Sequence, residues 1–219
     1  MHLLDCVEIG PRGPATASVV WMHGLGASGH DFEPIVPPLG LPHVRFVFPH
    51  APARPVTING GMVMPSWYDI RHLDFVRDGR EDEAQIKHST GQIEALLARE
   101  VSRGVPASRI VVAGFSQGGA IALHVGHRHA ERLAGIMCLS SYLVRPTALA
   151  EGHPANADTP MLFQHGRFDD VVPIRAGRAS YEAFVRPGRD VRWNDYPMAH
   201  EVCPAQVADI GRWLHERIG

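Results

Sequence analysis

Two rhythms of apolar and polar positions alternate along this chain. Short apolar runs bounded by Gly, Pro, Asn or Asp fall near residues 3–9, 17–22, 44–48, 109–114, 135–139, 160–165 and 191–196 and predict strands. Apolar positions at helical spacing near 81–102, 118–130, 174–185 and 205–217 predict helices. In the first of these, Ile86, Ile93, Leu96, Leu97 and Val101 share the apolar stripe, and Gly104 ends it. Strands that alternate with helices in this way predict an α/β protein with a mostly parallel central sheet covered on both faces. The first strand is expected at an antiparallel edge. At 219 residues, without internal repeats, the chain is expected to form one domain over residues 1–219.

The joint between strand 109–114 and helix 118–130 carries the strongest chemical signal. Gly114-Phe115-Ser116-Gln117-Gly118 is a G-x-S-x-G run, and its place between strand and helix forces a sharp turn. The turn tips the serine hydroxyl out of the sheet, and the flanking positions need glycine because side chains there would collide. Ser116 is therefore the candidate nucleophile. A serine hydroxyl is weakly nucleophilic at neutral pH, so it requires a histidine base, a carboxylate to orient that base, and donors for the oxyanion. Asp169 and Asp170 follow the strand near 160–165, and His200 follows the strand near 191–196. All fall at carboxyl ends of strands, where an open parallel sheet gathers its ligand-binding loops. The strand near 17–22 delivers His23-Gly24-Leu25-Gly26 to the same rim, and the expected oxyanion donors are the amides of Leu25 and Gln117.

Each element also has a plainer reading. Asp169 could cap the helix beginning near Pro173, the two His-Gly pairs could be tight turns, and His200 is one of fourteen histidines. These readings leave unexplained why nucleophile, acid and base arrive in this order at strand ends. His124 and His127 are spaced to share a helix face, yet no carboxylate joins them at ligand spacing, so no metal is expected there. Cys6, Cys138 and Cys203 are odd in number and contain no C-x-x-C pair, which argues against a disulfide framework and a zinc site. Cys138 is expected in the core. Cys203, three residues after His200, lies just before Pro204 at a helix start that offers no nucleophile turn.

Charge and hydropathy narrow the function further. A formal charge of −2 with scattered basic residues gives no nucleic-acid footprint. No apolar stretch approaches the roughly 18 residues of a membrane span, and the N-terminal residues lack the pattern of a signal peptide, so a cytoplasmic protein without stable membrane insertion is expected. Residues 49–80 are the least regular part, with Pro49, Pro52, Pro55, Gly60, Gly61 and Pro65 breaking the pattern. A loop of that length beside a catalytic rim predicts a functional role. Its apolar members Met62, Met64 and Trp67 either line an acyl site or form a small satellite cluster beneath the loop. Only about 20 residues separate the strands near 135–139 and 160–165, too few for an inserted cap domain, so an open groove is expected.

The blocks HGLGASGHDF (23–32), MPSWYDI (64–70), GFSQGGAIAL (114–123), HGRFDDVVP (165–173) and YPMAHEV (196–202) resemble the phospholipase/carboxylesterase family, which includes the acyl-protein thioesterases and small bacterial carboxylesterases. The resemblance spans essentially the whole chain. It implies an α/β-hydrolase fold, cofactor-free hydrolysis of carboxylic esters or thioesters, and Ser116, Asp169 and His200 as the triad, the first aspartate of the HGRFDDVVP block being the catalytic one. It likewise implies Leu25 and Gln117 as oxyanion donors, with Trp67, and with it Met64, beside the acyl pocket. The Asp169–Asp170 pair and the HEV ending look more like the bacterial carboxylesterase branch. The expected substrate is a small-molecule acyl ester of short to medium chain, with thioesters and lysophospholipids as further candidates, and the expected assembly is a homodimer. An acyl-protein thioesterase is the alternative within enzymes. A dienelactone-type hydrolase is disfavoured by serine rather than cysteine at 116, and a non-catalytic binding protein on the same scaffold is disfavoured by the intact set of site residues.

Overall fold

The computed structural model describes residues 3–75 and 79–219. Its strands are β1 (Cys6–Ile9), β2 (Ala17–Met22), β3 (Val44–Pro49), β4 (Ala53–Val56), β5 (Met62–Pro65), β6 (Ile110–Phe115), β7 (Gly135–Leu139), β8 (Met161–Gly166) and β9 (Val191–Tyr196). Its α-helices are α1 (Val36–Leu39), α2 (Glu83–Ser102), α3 (Gln117–Arg128), α4 (Ile174–Phe184) and α5 (Pro204–Ile218). Seven strands form one sheet in the order β1-β3-β2-β6-β7-β8-β9. The expected antiparallel edge is present, since β1 pairs antiparallel with β3 and the other neighbours run parallel.

The near-continuous apolar character of β2, β6, β7 and β8 follows from cover on both faces. Because successive side chains point to opposite sides, Val20, Met22 and Val112 join one core layer with Ile93, Leu97 and Ile121, on the face covered by α2 and α3. Val19, Trp21, Val111 and Ala113 join the other with Phe46, Trp213 and Leu214, on the face covered by α1 and α5. Within α2 the apolar stripe departs from expectation at its last turn. Glu100 is fully buried, whereas Val101 is 36 % exposed.

The region expected to be irregular contains order of its own. Strands β4 and β5 form a separate antiparallel hairpin, with Arg54 opposite Met64 and Val56 opposite Met62. Residues 76–78 of that region lie outside the described residues. Between β7 and β8 the chain makes two short 3₁₀ turns, Pro146–Glu151 and Pro154–Asn156, with no inserted cap. The carboxyl ends of β2, β6, β8 and β9 therefore reach one open rim.

Candidate active site

Ser116 stands between β6 and α3 with φ 54° and ψ −122°, a conformation that L-residues rarely adopt and that costs about 1–3 kcal/mol. Its neighbours show why the turn closes only with glycine. A Cβ on Gly114 would collide with the Gly118 backbone, and one on Gly118 would collide with the carbonyls of Met22 and His23. The turn is held from the next strand: Ser116 N donates to Leu139 O at 2.9 Å, and Ser141 Oγ donates to Ser116 O at 2.5 Å.

From this turn a line of hydrogen bonds runs across the rim. Ser116 Oγ lies 2.9 Å from His200 Nε2, and His200 Nδ1 lies 2.7 Å from Asp169 Oδ2. Asp169 has no exposed side-chain surface, and its other oxygen accepts from the backbone amides of Val171 (3.0 Å) and Val172 (2.8 Å). These amides fix the carboxylate in a turn before α4, so the capping tendency of aspartate and its contact with His200 coexist in one residue. Asp170, the alternative in sequence, points to solvent.

Sequence reasoning missed a second imidazole at this point. His165 Nε2 donates to Val172 O at 2.8 Å, lies 3.4 Å from Asp169 Oδ2, and is almost fully buried. Burial holds its pKa below the ordinary histidine value, so it stays neutral beside the carboxylate at neutral pH. Its signals in the sequence are the His-Gly pair at the end of β8 and the first position of the HGRFDDVVP block.

The loop after β2 approaches the same turn. A Cβ on Gly24 would sit 3.4 Å from Ser116 Cβ, so Leu25 follows directly on the elbow's flank. The loop is braced from three sides. Ala51 N donates to His23 Nε2 at 3.0 Å, which leaves the proton on Nδ1 to donate to Gly24 O at 2.7 Å. Burial lowers the His23 pKa and favours that neutral form. Gly26 N donates to Pro65 O at 2.8 Å, and Trp67 Nε1 donates to His23 O at 2.8 Å.

Gln117 opens α3, where a first-turn amide has no partner within its own helix. Its buried side chain grips the segment after β5: Oε1 accepts from Trp67 N at 2.8 Å, and Nε2 donates to Tyr68 O at 2.6 Å. Trp67 differs from expectation. It is fully buried and packs its ring against His23, so it props the loop from below instead of facing the groove. Its indole N–H finds its acceptor only there, which is the physical reason for the inward placement. Met64 is half-buried on β5, and its sulfur lies near Gly26.

Beside His200 lies an open groove of about 610 Å³. Phe115, Phe32, Val202 and Val207 supply its apolar wall, and Cys203 contributes to it as the residue preceding α5. Of the helix α3 histidines, His124 is buried with its pKa pushed down to about 4 by burial, and His127 Nε2 donates to Leu149 O. Among the described residues no three His, Cys, Asp or Glu side chains gather in a way that could hold a metal ion.

The family model described as phospholipase/carboxylesterase matches residues 5–218. The chain belongs to the phospholipase/carboxylesterase family. It is 38 % identical over 220 residues to acyl-protein thioesterase 1 of Yarrowia lipolytica, covering 97 % of this chain and 96 % of that one. Among solved structures it resembles Zea mays acyl-protein thioesterase 2, with a TM-score of 0.86 and 28 % identity over 98 % of this chain and 99 % of that chain. It also resembles esterase PE8, with a TM-score of 0.84 and 27 % identity over 99 % and 100 %. The fold is thus that of the α/β-hydrolases, and members of this family are serine hydrolases that act on ester and thioester bonds. No α-helix among the described residues is long and apolar enough to cross a membrane.

Proposed function

We propose that this phospholipase/carboxylesterase family member hydrolyses small-molecule carboxylic esters of short to medium acyl chain, with Ser116 as nucleophile, His200 as general base and acid, and Asp169 as the group that orients and stabilises the imidazole. The observation that carries this reading is the continuous pair of bonds from Asp169 through His200 to Ser116, at 2.7 and 2.9 Å. Both distances suit proton transfer in the ground state.

The chemistry follows from the atoms involved. His200 Nε2 takes the Ser116 proton as Oγ adds to the acyl carbonyl, and the amides of Leu25 and Gln117 receive the negative oxygen. Collapse of the tetrahedral species breaks the ester C–O bond. His200 hands its proton to the departing alcohol, and Ser116 holds the acyl group. Water then repeats the addition with His200 as base and releases the carboxylic acid. In this scheme Met64 borders the acyl group, and Trp67 acts through the loop that it supports.

A thioester differs only in its leaving sulfur, and the thioesterase names of the relatives favour that second reading. A panel of p-nitrophenyl butyrate, longer acyl esters and acyl thioesters ranked by kcat/KM decides between them. A fluorophosphonate is expected to label wild-type protein at Ser116 with one-to-one stoichiometry. Ser116→Ala is expected to lose that label and about 10⁴-fold or more of the activity; undiminished labelling of the variant refutes the assignment. The proposal includes residues 1–219 working as one domain, in the cytoplasm and as a homodimer, to be read by limited proteolysis, cell fractionation and light scattering.

A further inference from the structure

We propose that the groove beside His200 seats the leaving alcohol of the substrate, and that the alcohol it takes is bulky, apolar and free of negative charge. This assignment rests on the reading of Ser116 and His200 given above.

Geometry fixes which end of an ester lies there. The proton that frees the alcohol comes from His200 Nε2, so the leaving oxygen must come within about 3 Å of that nitrogen. With the carbonyl oxygen turned to Leu25 and Gln117, the carbon chain of the alcohol continues past the imidazole. The surface it meets is aromatic and aliphatic. The Phe115 ring is centred 4.7 Å from that of His200, Phe32 lies 5.9 Å beyond Phe115, and Val202 and Val207 extend the wall. A volume of about 610 Å³ accommodates far more than a methoxy group.

Charge selects among large alcohols. Asp31 and Glu201 are the fixed charges among the lining residues, which include no Arg or Lys. Asp31 accepts from Ser28 Oγ and Glu201 from Ala199 N, so neither carboxylate is neutralised by a cation in these contacts. A glycerophosphate leaving group would bring its phosphate towards two carboxylates and gain no counter-charge. A benzyl or branched alkyl alcohol loses only water from apolar surface, which favours its binding.

The test compares two butanoate esters whose alcohols are of nearly equal acidity, methyl and benzyl, together with methyl octanoate and 1-butanoylglycerol 3-phosphate. Wild-type protein is expected to favour benzyl over methyl butanoate in kcat/KM by about tenfold or more, and to disfavour the phosphate ester. Ala208→Trp fills the groove from an exposed position on α5 and is expected to lower the benzyl-to-methyl ratio by about tenfold. Alkylation of Cys203 by N-ethylmaleimide fills it without any substitution and is expected to do the same. The thiols of Cys6 and Cys138, pushed up by burial to about 11 and about 12, stay protonated at neutral pH and react far more slowly.

A benzyl-to-methyl ratio that neither treatment moves overturns the proposal. So does a change in the octanoate-to-butanoate ratio in its place, which makes the groove an acyl seat. In both cases continued fluorophosphonate labelling of Ser116 keeps the serine-hydrolase reading intact. Failure of wild-type protein to label or to turn over any ester removes both assignments.

Discussion

A carboxylate with no exposed surface sits at each end of the central sheet, and the two are satisfied in opposite ways. At the amino end Glu100 accepts from Ser18 Oγ at 2.7 Å and pairs with Arg45 at 2.8 Å, Arg103 at 3.1 Å and Arg99 at 3.3 Å. Glu8 ties Arg99 and Arg103 from the other side. At the carboxyl end Asp169 meets two backbone amides, the imidazole of His200 and the neighbouring imidazole of His165, with no arginine or lysine among these partners. Fixed cations around Glu100 hold a static charge. Around Asp169 the partners are neutral amides and titratable imidazoles, so in the proposed reaction its negative charge is available when a proton reaches the ring of His200. Burial of an acid therefore says little about function until its partners are named.

The sharpest way to break this contrast is Asp169→Asn. It is expected to lower kcat by about 10⁴-fold while the melting temperature changes little, because the amide oxygen still accepts from Val171 and Val172. A large loss of stability with modest loss of rate would make Asp169 a structural group like Glu100. The converse variant, Glu100→Ala, is expected to cost about 3–5 kcal/mol in urea unfolding, since Arg45 is left without its main partner, while kcat/KM of the folded fraction holds near wild type.

Acid distinguishes the two ends by a different route. His124 has its folded pKa depressed to about 4, and burial depresses those of His23 and His165 as well. A depressed histidine stabilises the fold fully above its unfolded pKa of about 6.5, and that stability is lost as the pH falls through the folded value. His124 alone therefore accounts for about 3 kcal/mol lost between pH 6.5 and 4. Glu100 follows at lower pH: burial works to raise its pKa, but Ser18 and Arg45 outweigh burial and hold it below the usual carboxylate value. Urea titrations of His124→Leu are expected to flatten the loss in the pH 6.5–4 window, whereas an unchanged slope would assign the acid sensitivity elsewhere.

Trp67→Phe carries the smallest effect and tests support at the carboxyl end. Loss of the indole bond leaves the His23 carbonyl without that donor, at a cost of about 1–2 kcal/mol. The accompanying shift of the Leu25 loop is expected to lower kcat/KM on the order of tenfold. If stability falls and the rate does not, Trp67 belongs with Glu100 in holding the fold alone.

Much of this architecture was legible in the sequence because its signals were local. The strands of the main sheet are short apolar runs, and strand-end positions alone put Ser116, the Asp169–Asp170 pair and His200 on one rim, the choice of Asp169 coming from the family resemblance. The β4–β5 hairpin escaped because Pro52, Pro55 and Pro65 argue against strands, although Asn59-Gly60-Gly61 is a turn signal between them. The loop's composition left Trp67 open between an acyl-site wall and a satellite cluster, and the family resemblance placed it beside the pocket, because apolar residues on a long loop look alike in sequence; its indole turns inward to the His23 carbonyl. The last turn of α2 was misread for a similar reason. Val101 and Glu100 both continue the helical spacing from Leu97, and the choice falls to Glu100 because Ser18 and Arg45, distant in sequence, are waiting for it. No periodicity encodes such meetings across the sheet.

Gln117 gives the two halves of the rim a common anchor. Its main chain faces the proposed oxyanion while its carboxamide clasps residues 67 and 68, so the strap behind the hairpin and the first amide of α3 cannot drift independently. A variant that loosens the hairpin thus detunes a donor that it never touches, and catalytic defects should map to surface turns well away from the serine.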